Sequence, residues 1–245
     1  MTTHTAFITG AGKNIGRACA LDLASRGYNV VINGRADKAA CEAVAKEAQA
    51  KGVKAHVIMT DIGLAPDAKR AAQEALATFG TIDVLVANAA IRPDKPFLEN
   101  TEADWRRVMG TNLESAIHLS QAFIPGMIAQ KWGRIVYMTG RNAMRGYPGH
   151  VTTSVAKHGL WGLTKTLSRE FGPQGITVNA VSPGVIDTRS DPEFKARSQK
   201  VADTEIPVRR IGTSEEIAAM CGLLCSQEGG FVNGQMIGVN GGIDT

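Results

Sequence analysis

Thr9-Gly-Ala-Gly-Lys-Asn-Ile-Gly16 is the stretch of sequence that decides the fold. The apolar run Thr5–Thr9 predicts a strand before it, and the following residues predict a helix through Arg26. A glycine-rich turn between a strand and a helix lets backbone amides approach a pyrophosphate at the positive end of the helix. Its place between these two elements, near the start of the chain, favours a dinucleotide site over a plain tight turn.

Strand and helix patterns alternate along the rest of the 245 residues. Further strands are predicted at Asn29–Asn33, Val53–Thr60, Val84–Asn88, Arg134–Thr139, Thr177–Ser182 and Gln235–Val239. One helix is predicted after the second strand and ends at about Lys51. Others are predicted over Glu102–Gln130, in two pieces, and over Thr152–Phe171. Strands separated by helices indicate right-handed βαβ units. The expected fold is therefore a single α/β domain, a Rossmann-type doubly wound parallel sheet of about seven strands with helices on both faces.

Bulk composition narrows the class of protein. Hydrophobic residues make up 44% and charged residues 20%, and the net charge is +4, which is ordinary for a soluble globular protein. The sequence shows neither a basic block typical of nucleic-acid binding nor an apolar run of the roughly 18 residues that span a membrane. The four cysteines lack metal-ligand spacing. We expect no metal, no nucleic-acid partner, no signal peptide and a cytoplasmic location.

The end of the second predicted strand bears on which nucleotide binds. An acidic residue there would hold the ribose 2′-hydroxyl of NAD, but Gly34 occupies the position and Arg35 follows it. Together with Lys13 in the glycine-rich turn, Arg35 suits a 2′-phosphate. This pattern predicts NADP(H) in preference to NAD(H), with two solvated surface charges as the alternative.

Several motifs together resemble the short-chain dehydrogenase/reductase family over essentially the whole chain. The turn Thr9–Gly16 follows its Thr-Gly-x-x-x-Gly-x-Gly pattern, with Asn14 at the middle glycine, and Asn can adopt the same positive φ. Asn88-Ala-Ala90, Ser182–Thr188 and Asn233–Gly242 resemble three further family segments. The resemblance implies a cofactor site formed by Gly10, Gly12, Lys13, Asn14, Ile15, Gly16, Arg35, Asp61, Ile62, Asn88, Ala89, Lys157, Pro183, Gly184, Ile186 and Thr188.

The same resemblance implies an incomplete catalytic set. The segment His150–Lys157 resembles the family's Tyr-x-x-x-Lys helix, but Thr153 stands at the tyrosine position. Gly140 stands where the family has a serine, whereas Asn112 and Lys157 are retained. A threonine hydroxyl is a far weaker acid than a phenol, and loss of a general acid typically costs about 10²–10⁴ in rate.

Three nearby side chains are candidates for the missing groups. His150 lies seven residues before Lys157, and imidazole exchanges protons readily near neutral pH. Tyr147 precedes the helix, and Thr139 adjoins the vacant serine position. The alternatives are a helix cap or an exposed residue for His150, and a packing or substrate-wall residue for Tyr147.

Three arginines and one polar segment bear on the substrate. Arg92, Arg141 and Arg145 follow strand ends, where they would form a positive mouth for an anionic substrate or remain surface arginines. Arg189–Arg210 is polar and is interpreted as a mobile substrate flap.

The leading hypothesis is an NADP(H)-dependent oxidoreductase with an atypical active site, acting on a small anionic C=O or C=C substrate. The alternatives are a non-redox lyase, hydratase or isomerase, or a catalytically silent NADP-binding subunit. The resemblance also implies a homodimer or homotetramer.

Overall fold

The computed structural model describes residues 3–188 and 191–244. The strands of that part of the chain are β1 (Thr5–Ile8), β2 (Asn29–Gly34), β3 (Ala55–Met59), β4 (Val84–Ala87), β5 (Gly133–Met138), β6 (Ile176–Pro183) and β7 (Met236–Val239). The α-helices are α1 (Asn14–Ser25), α2 (Lys38–Gln49), α3 (Ala65–Phe79), α4 (Glu102–Met109), α5 (Ser115–Gln130), α6 (Val151–Phe171), α7 (Pro192–Thr204) and α8 (Ser214–Leu224). These bounds agree with most of the predicted elements to within one or two residues.

All seven strands pair in parallel, in the order β3-β2-β1-β4-β5-β6-β7. From β1 the chain adds β2 and β3 on one side of the sheet, and from β4 it adds β5, β6 and β7 on the other side. Between β1 and β4 the connections diverge to opposite faces, which opens a crevice beyond their carboxyl ends. The predicted Rossmann-type doubly wound sheet is confirmed.

Alternate residues of β1 face two separate cores. Ala6 and Ile8 pack with α1, α2 and α8 on one face. Phe7 packs on the other face with α3, α5 and α6, and its ring lies 5.4 Å from that of Phe123. Because both faces are covered by helices, the central strands β1 and β4 are buried at every position rather than at alternate ones. This double burial fixes the strand ends that form the crevice.

The predicted long helix over Glu102–Gln130 is interrupted, as expected, and the break has a defined structure. A π-helical turn, Gly110–Glu114, separates α4 from α5. Single π turns inside helices commonly occur at functional sites, because they redirect one side chain. Here the turn contains Asn112.

Helix α7 lies in the segment interpreted from sequence as a flap, where no helix was predicted. Its start is fixed by Asp191, whose side chain accepts a hydrogen bond from the Phe194 amide, and by Pro192 in the first turn. This Asp-Pro signal was present in the sequence. Arg189 and Ser190, the first two residues of that interpreted flap, lie outside the described residues.

The four cysteines, Cys19, Cys41, Cys221 and Cys225, are all free and buried. Cys41 packs beneath the turn that follows β1, and the other three lie where α1 meets α8. Burial raises the pKa of the Cys41 thiol. Among the described residues there is no helix with the length and apolar character needed to cross a membrane.

Candidate active site at the carboxyl edge of the sheet

The turn after β1 has a backbone that admits few side chains. Gly10 has φ +62°, and Asn14 has φ +52°, so the prediction that Asn14 adopts the positive φ of a glycine is confirmed. A Cβ on Gly16 would overlap the carbonyl oxygen of Gly10 and lie 2.7 Å from Nδ2 of Asn88. The first turn of α1 therefore lies directly against the glycine-rich turn, with its amides at the crevice.

Asn88 and Thr9 fasten this turn to the end of β4. Thr9 Oγ1 accepts hydrogen bonds from the Asn88 and Ala89 amides, both at 2.9 Å. Asn88 Nδ2 donates to the carbonyl oxygens of Thr9 and Gly10, at 3.0 and 3.3 Å. The amide side chain of Asn88 therefore holds the shape of the turn.

A cleft of about 390 Å³ opens beside the turn. Residues predicted from sequence that line it are Gly10, Lys13, Asn14, Ile15, Gly16, Arg35, Asp61, Ile62, Asn88, Ala89, Arg92 and Thr188. Sequence reasoning did not assign Asn33, Thr60, Ile91 or Thr111 to the site, although each lies at or just after a strand end or in the π turn. Position at the carboxyl edge of the sheet was the signal that would have found the first three.

Some predicted cofactor residues lie outside this cleft. Gly12 faces α2, because a Cβ there would lie 2.9 Å from Cys41 Sγ. Gly184, after β6, leaves no room for a side chain, since its Cβ would lie 2.7 Å from Cα of Asn240. Pro183 closes β6, and Ile186 lines a neighbouring cavity of about 270 Å³. The structure thus separates the pyrophosphate-side residues from the turn after β6, with Thr188 lining the main cleft.

Charged groups meet at the end of β2. The side chain of Arg35 is 54% exposed, and its Nη1 lies 3.7 Å from Asp61 Oδ2. The same oxygen accepts a hydrogen bond from Arg107 at 2.9 Å, while Oδ1 accepts one from the Gly63 amide at 3.1 Å. Both oxygens of Asp61 therefore already have partners from the protein.

Lys157 lies in α6 and is 3% exposed. Its Nζ donates a hydrogen bond to the carbonyl oxygen of Met138, at the end of β5. Burial, together with the nearby positive charge of Arg92, lowers the pKa of Lys157 to about 7. The folded structure thus holds a lysine that can gain and lose a proton near neutral pH.

Asn112 is buried in the π turn and fastens the loop after β4. Its Oδ1 accepts from the Ile91 amide and its Nδ2 donates to the Ile91 carbonyl oxygen, both at 2.8 Å. The paired bonds fix the backbone immediately before Arg92. The side chain of Asn112 therefore acts here by positioning that loop.

His150, Thr153 and Lys157 share one face of α6, because spacings of three, four and seven residues return to the same side of a helix. His150 immediately precedes the helix, and its Nδ1 lies 3.1 Å from the carbonyl oxygen of Pro93. Since a carbonyl oxygen only accepts, Nδ1 carries the proton in that bond and Nε2 is left to exchange one. Thr153 is 1% exposed, and its Oγ1 has no hydrogen-bond partner in the described part of the chain. A buried hydroxyl in this state fits a site that is completed by water or a ligand.

The position resembling the family serine has an unusual backbone. Gly140 has φ +106° and ψ 176°, a conformation essentially restricted to glycine. The adjacent Thr139 donates its hydroxyl proton to the carbonyl oxygen of Val181 at 2.9 Å. That proton is therefore not free for a substrate oxygen, contrary to the expectation that Thr139 substitutes for the serine as a donor.

The expected positive mouth is smaller than predicted. Arg141 and Arg145 both contact the buried carboxylate of Asp244, at 3.0 and 2.6 Å. Asp244, about 100 residues away in sequence, thus offsets part of the positive charge of Arg141 and Arg145. Arg92 has no ion-pair partner among residues 3–188 and 191–244, and it lines the cleft.

Tyr147 lies beside this ion-pair cluster. The guanidinium carbon of Arg141 is 5.4 Å from the centre of the Tyr147 ring. Burial raises the pKa of Tyr147, and its hydroxyl has no hydrogen-bond partner among the described residues. A phenol with a raised pKa is a weaker acid than a free one, so this geometry favours His150 over Tyr147 as a proton donor.

Comparison with known proteins identifies the class. The family described as enoyl-(acyl carrier protein) reductase matches residues 10–244. The chain belongs to the short-chain dehydrogenase/reductase family and is an oxidoreductase by that relationship.

Individual relatives cover almost the whole chain. It is 37% identical over 239 residues to the 3-oxoacyl-(acyl-carrier-protein) reductase FabG of Staphylococcus epidermidis, covering 98% of each protein. It is also 37% identical over 246 residues to the acetoacetyl-CoA reductase of Cupriavidus necator, covering 99% of each. Among solved structures, a blue fluorescent protein from a metagenomic library, in complex with NADPH, matches with TM-score 0.93 and 31% identity, covering 99% of this chain and 98% of that one. Acetoin dehydrogenase YohF of Salmonella typhimurium matches with TM-score 0.91 and 32% identity, covering 99% and 96%.

Proposed function

We propose that the protein is an NADP(H)-dependent oxidoreductase with an atypical proton donor, acting on a small anionic substrate with a C=O or C=C bond. The observation that carries the proposal is the shared face of α6, where Lys157 is buried within electrostatic reach of Arg92, a residue that lines the cleft, and where the buried hydroxyl of Thr153 has no hydrogen-bond partner among the described residues. Relatives that reduce a 3-oxoacyl group or acetoacetyl-CoA, and a structural neighbour with NADPH, support the reaction class.

In the proposed function this cleft binds a dinucleotide. The close contact of Gly16 with Gly10 leaves the amides at the start of α1 for a pyrophosphate. Lys13 and Arg35 would hold a 2′-phosphate, Lys157 a ribose, and the turn Pro183–Thr188 a carboxamide. When bound, a nicotinamide supplies or accepts the hydride.

The chain's own residues then provide proton transfer. Thr153 stands at the position of the family tyrosine and Gly140 at that of its serine, so neither of those groups is present. In the proposed arrangement Thr153 orients the substrate oxygen and passes a proton, while Nε2 of His150 supplies or removes it. Lys157 holds positive charge beside the same oxygen, and Arg92 attracts the anionic part of the substrate.

The test separates nucleotide binding from turnover. NADPH should bind to the purified protein, as measured by its fluorescence, and be consumed with acetoacetyl-CoA as the first substrate of a panel of thioesters and small oxoacids. His150→Ala should reduce kcat at least about 100-fold with unchanged NADPH affinity, since a positioned acid contributes that much. His158→Ala is the matched control, because that exposed histidine lies one residue beyond Lys157 and contacts the Ser154 carbonyl oxygen.

Each outcome is decisive for one part of the proposal. Equal turnover of His150→Ala and the parent protein would remove the donor assignment. Absence of NADPH binding would remove the NADP(H) assignment, and absence of both NADPH and NADH binding would remove the redox function.

A silent NADP-binding subunit is the second candidate. The Gly-only backbone at Gly140 and the committed proton of Thr139 favour it, because both remove groups that would contact a substrate oxygen. NADPH binding without consumption across the whole panel would support this candidate over the enzyme. Product formation by nucleotide-stripped protein would favour a non-redox lyase, hydratase or isomerase instead.

Self-association is a further part of the proposal. Strand β7 is an edge strand with one unpaired side, and Phe231 just before it is fully exposed. Light scattering after gel filtration should show a homodimer or homotetramer. A monomer at working concentration would contradict this.

A further inference from the structure

Asp61 is an acidic residue that lines the cleft beside Arg35. Its Oδ2 lies 3.7 Å from Arg35 Nη1, and its side chain is 24% exposed. If nothing else held this carboxylate, it would compete with a phosphate for the Arg35 guanidinium. It would also repel the phosphate, because the two anions would lie on the same cation.

Arg107 changes that balance. It lies in α4, on a different element from Arg35, and its Nη1 donates to Asp61 Oδ2 at 2.9 Å. This contact is shorter than the one from Arg35 to the same oxygen. The Gly63 amide holds the other oxygen at 3.1 Å, so the carboxylate is fixed in orientation as well as offset in charge.

We propose that Arg107 is a specificity-determining residue for the nucleotide: by pairing with Asp61 it leaves Arg35 to a 2′-phosphate. This rests on the proposed NADP(H) binding and extends it to a residue that does not line the cleft. A dinucleotide without the phosphate places no second anion beside Asp61. Its affinity should therefore depend little on Arg107.

The experiment measures dissociation constants of NADPH and NADH by fluorescence titration of the purified protein. Arg107→Gln should weaken NADPH binding by about tenfold or more, since charged hydrogen bonds are among the strong ones. NADH binding should change by less than about threefold on the same grounds. Arg106→Gln is the matched control, because the neighbouring guanidinium contacts Glu102 on the same helix, at 2.5 and 2.9 Å, rather than Asp61.

A second substitution distinguishes charge from folding. In Arg107→Gln protein, Asp61→Asn removes the carboxylate charge that Arg107 offset. The ratio of the NADPH to the NADH dissociation constant should then return to within about threefold of the parent value. Thermal unfolding of each variant checks that it is folded.

The results separate this inference from the proposed function. Parent protein that binds neither nucleotide refutes the proposed function. Parent protein that binds NADPH normally, with a ratio unchanged in Arg107→Gln or not restored in the double variant, refutes the role of Arg107 alone.

Discussion

At the scale of single residues, Lys157 shows how burial sets chemistry. The residue is 3% exposed, and its Nζ donates a hydrogen bond to a carbonyl oxygen. Removal from water disfavours the charged form, and Arg92 adds a like charge, so the pKa falls from 10.5 to about 7. A group of this kind affects stability as well as reactivity, because its protonation differs between the folded and unfolded chain.

Between pH 7 and 10.5 the unfolded chain binds a proton at Lys157 that the folded chain lacks, so this group makes the free energy of unfolding rise with pH over that interval. Below pH 7 the burial penalty applies in full. Lys157→Met removes the dependence. We therefore expect the denaturant midpoint of the nucleotide-free parent protein, relative to Lys157→Met, to increase from pH 6.5 to about 9.5. Lys165→Met, an exposed position of α6, should track the parent at both values, and a constant difference for Lys157→Met would contradict the prediction.

At the scale of elements, the loop between β5 and α6 is held by an unusual backbone conformation and by ion pairs. The loop begins at Gly140, whose backbone conformation excludes ordinary side chains, and it is anchored through Arg141 and Arg145 to Asp244. The backbone at Gly140 therefore does not readily accept a serine or any other residue with a Cβ.

Gly140→Ser should lower the free energy of unfolding by about 1–3 kcal/mol, because φ +106° with ψ 176° is strained for any residue with a Cβ. Steric room is not the cause, since the nearest heavy atom to the added Cβ would be 4.0 Å away. Chemical denaturation provides the measurement. Gly146→Ser, in the same loop with open space around its Cβ, should change stability by less than about 0.5 kcal/mol. Equal effects of the two substitutions would rule out backbone strain as the explanation.

At the scale of the whole molecule, the cleft and a buried stabilising cluster lie at opposite edges of the sheet. The carboxyl edge carries the cleft, whereas the amino edge contains Arg134, which is 4% exposed. Its guanidinium donates to the carbonyl oxygens of Ser226, Gly133 and Gly175 and lies 4.5 Å from the centre of the Trp132 ring. This cluster joins β5 to the segments after α8 and α6, far from the cleft.

Arg134→Met should therefore destabilise the fold by about 2–4 kcal/mol, because it leaves buried carbonyl oxygens without their donor. NADPH affinity of the folded fraction should stay within about twofold of the parent value, since the cleft lies at the opposite edge. Denaturant melts and fluorescence titrations measure the two quantities. Arg70→Met, whose exposed side chain pairs with Asp67, should leave both nearly unchanged. A loss of affinity matching the loss of stability would contradict this prediction.

The sequence predicted the sheet and the turn after β1 well because their signals are local. Strand runs, the glycine-rich turn and the positive φ of Asn14 each depend on a few adjacent residues. The pairing of Asp244 with Arg141 and the contact of Arg107 with Asp61 join residues 103 and 46 positions apart. No local pattern encodes such contacts, so the substrate-side electrostatics and the state of Asp61 required the structure.

Because all four native thiols are buried, a cysteine introduced at the surface can be labelled selectively. A maleimide dye added to the folded protein should find little to react with, so Lys195→Cys, at an exposed position of α7, would place a fluorophore at a chosen point. Anisotropy decay of that label, recorded with and without NADPH, would report whether α7 moves relative to the rest of the protein.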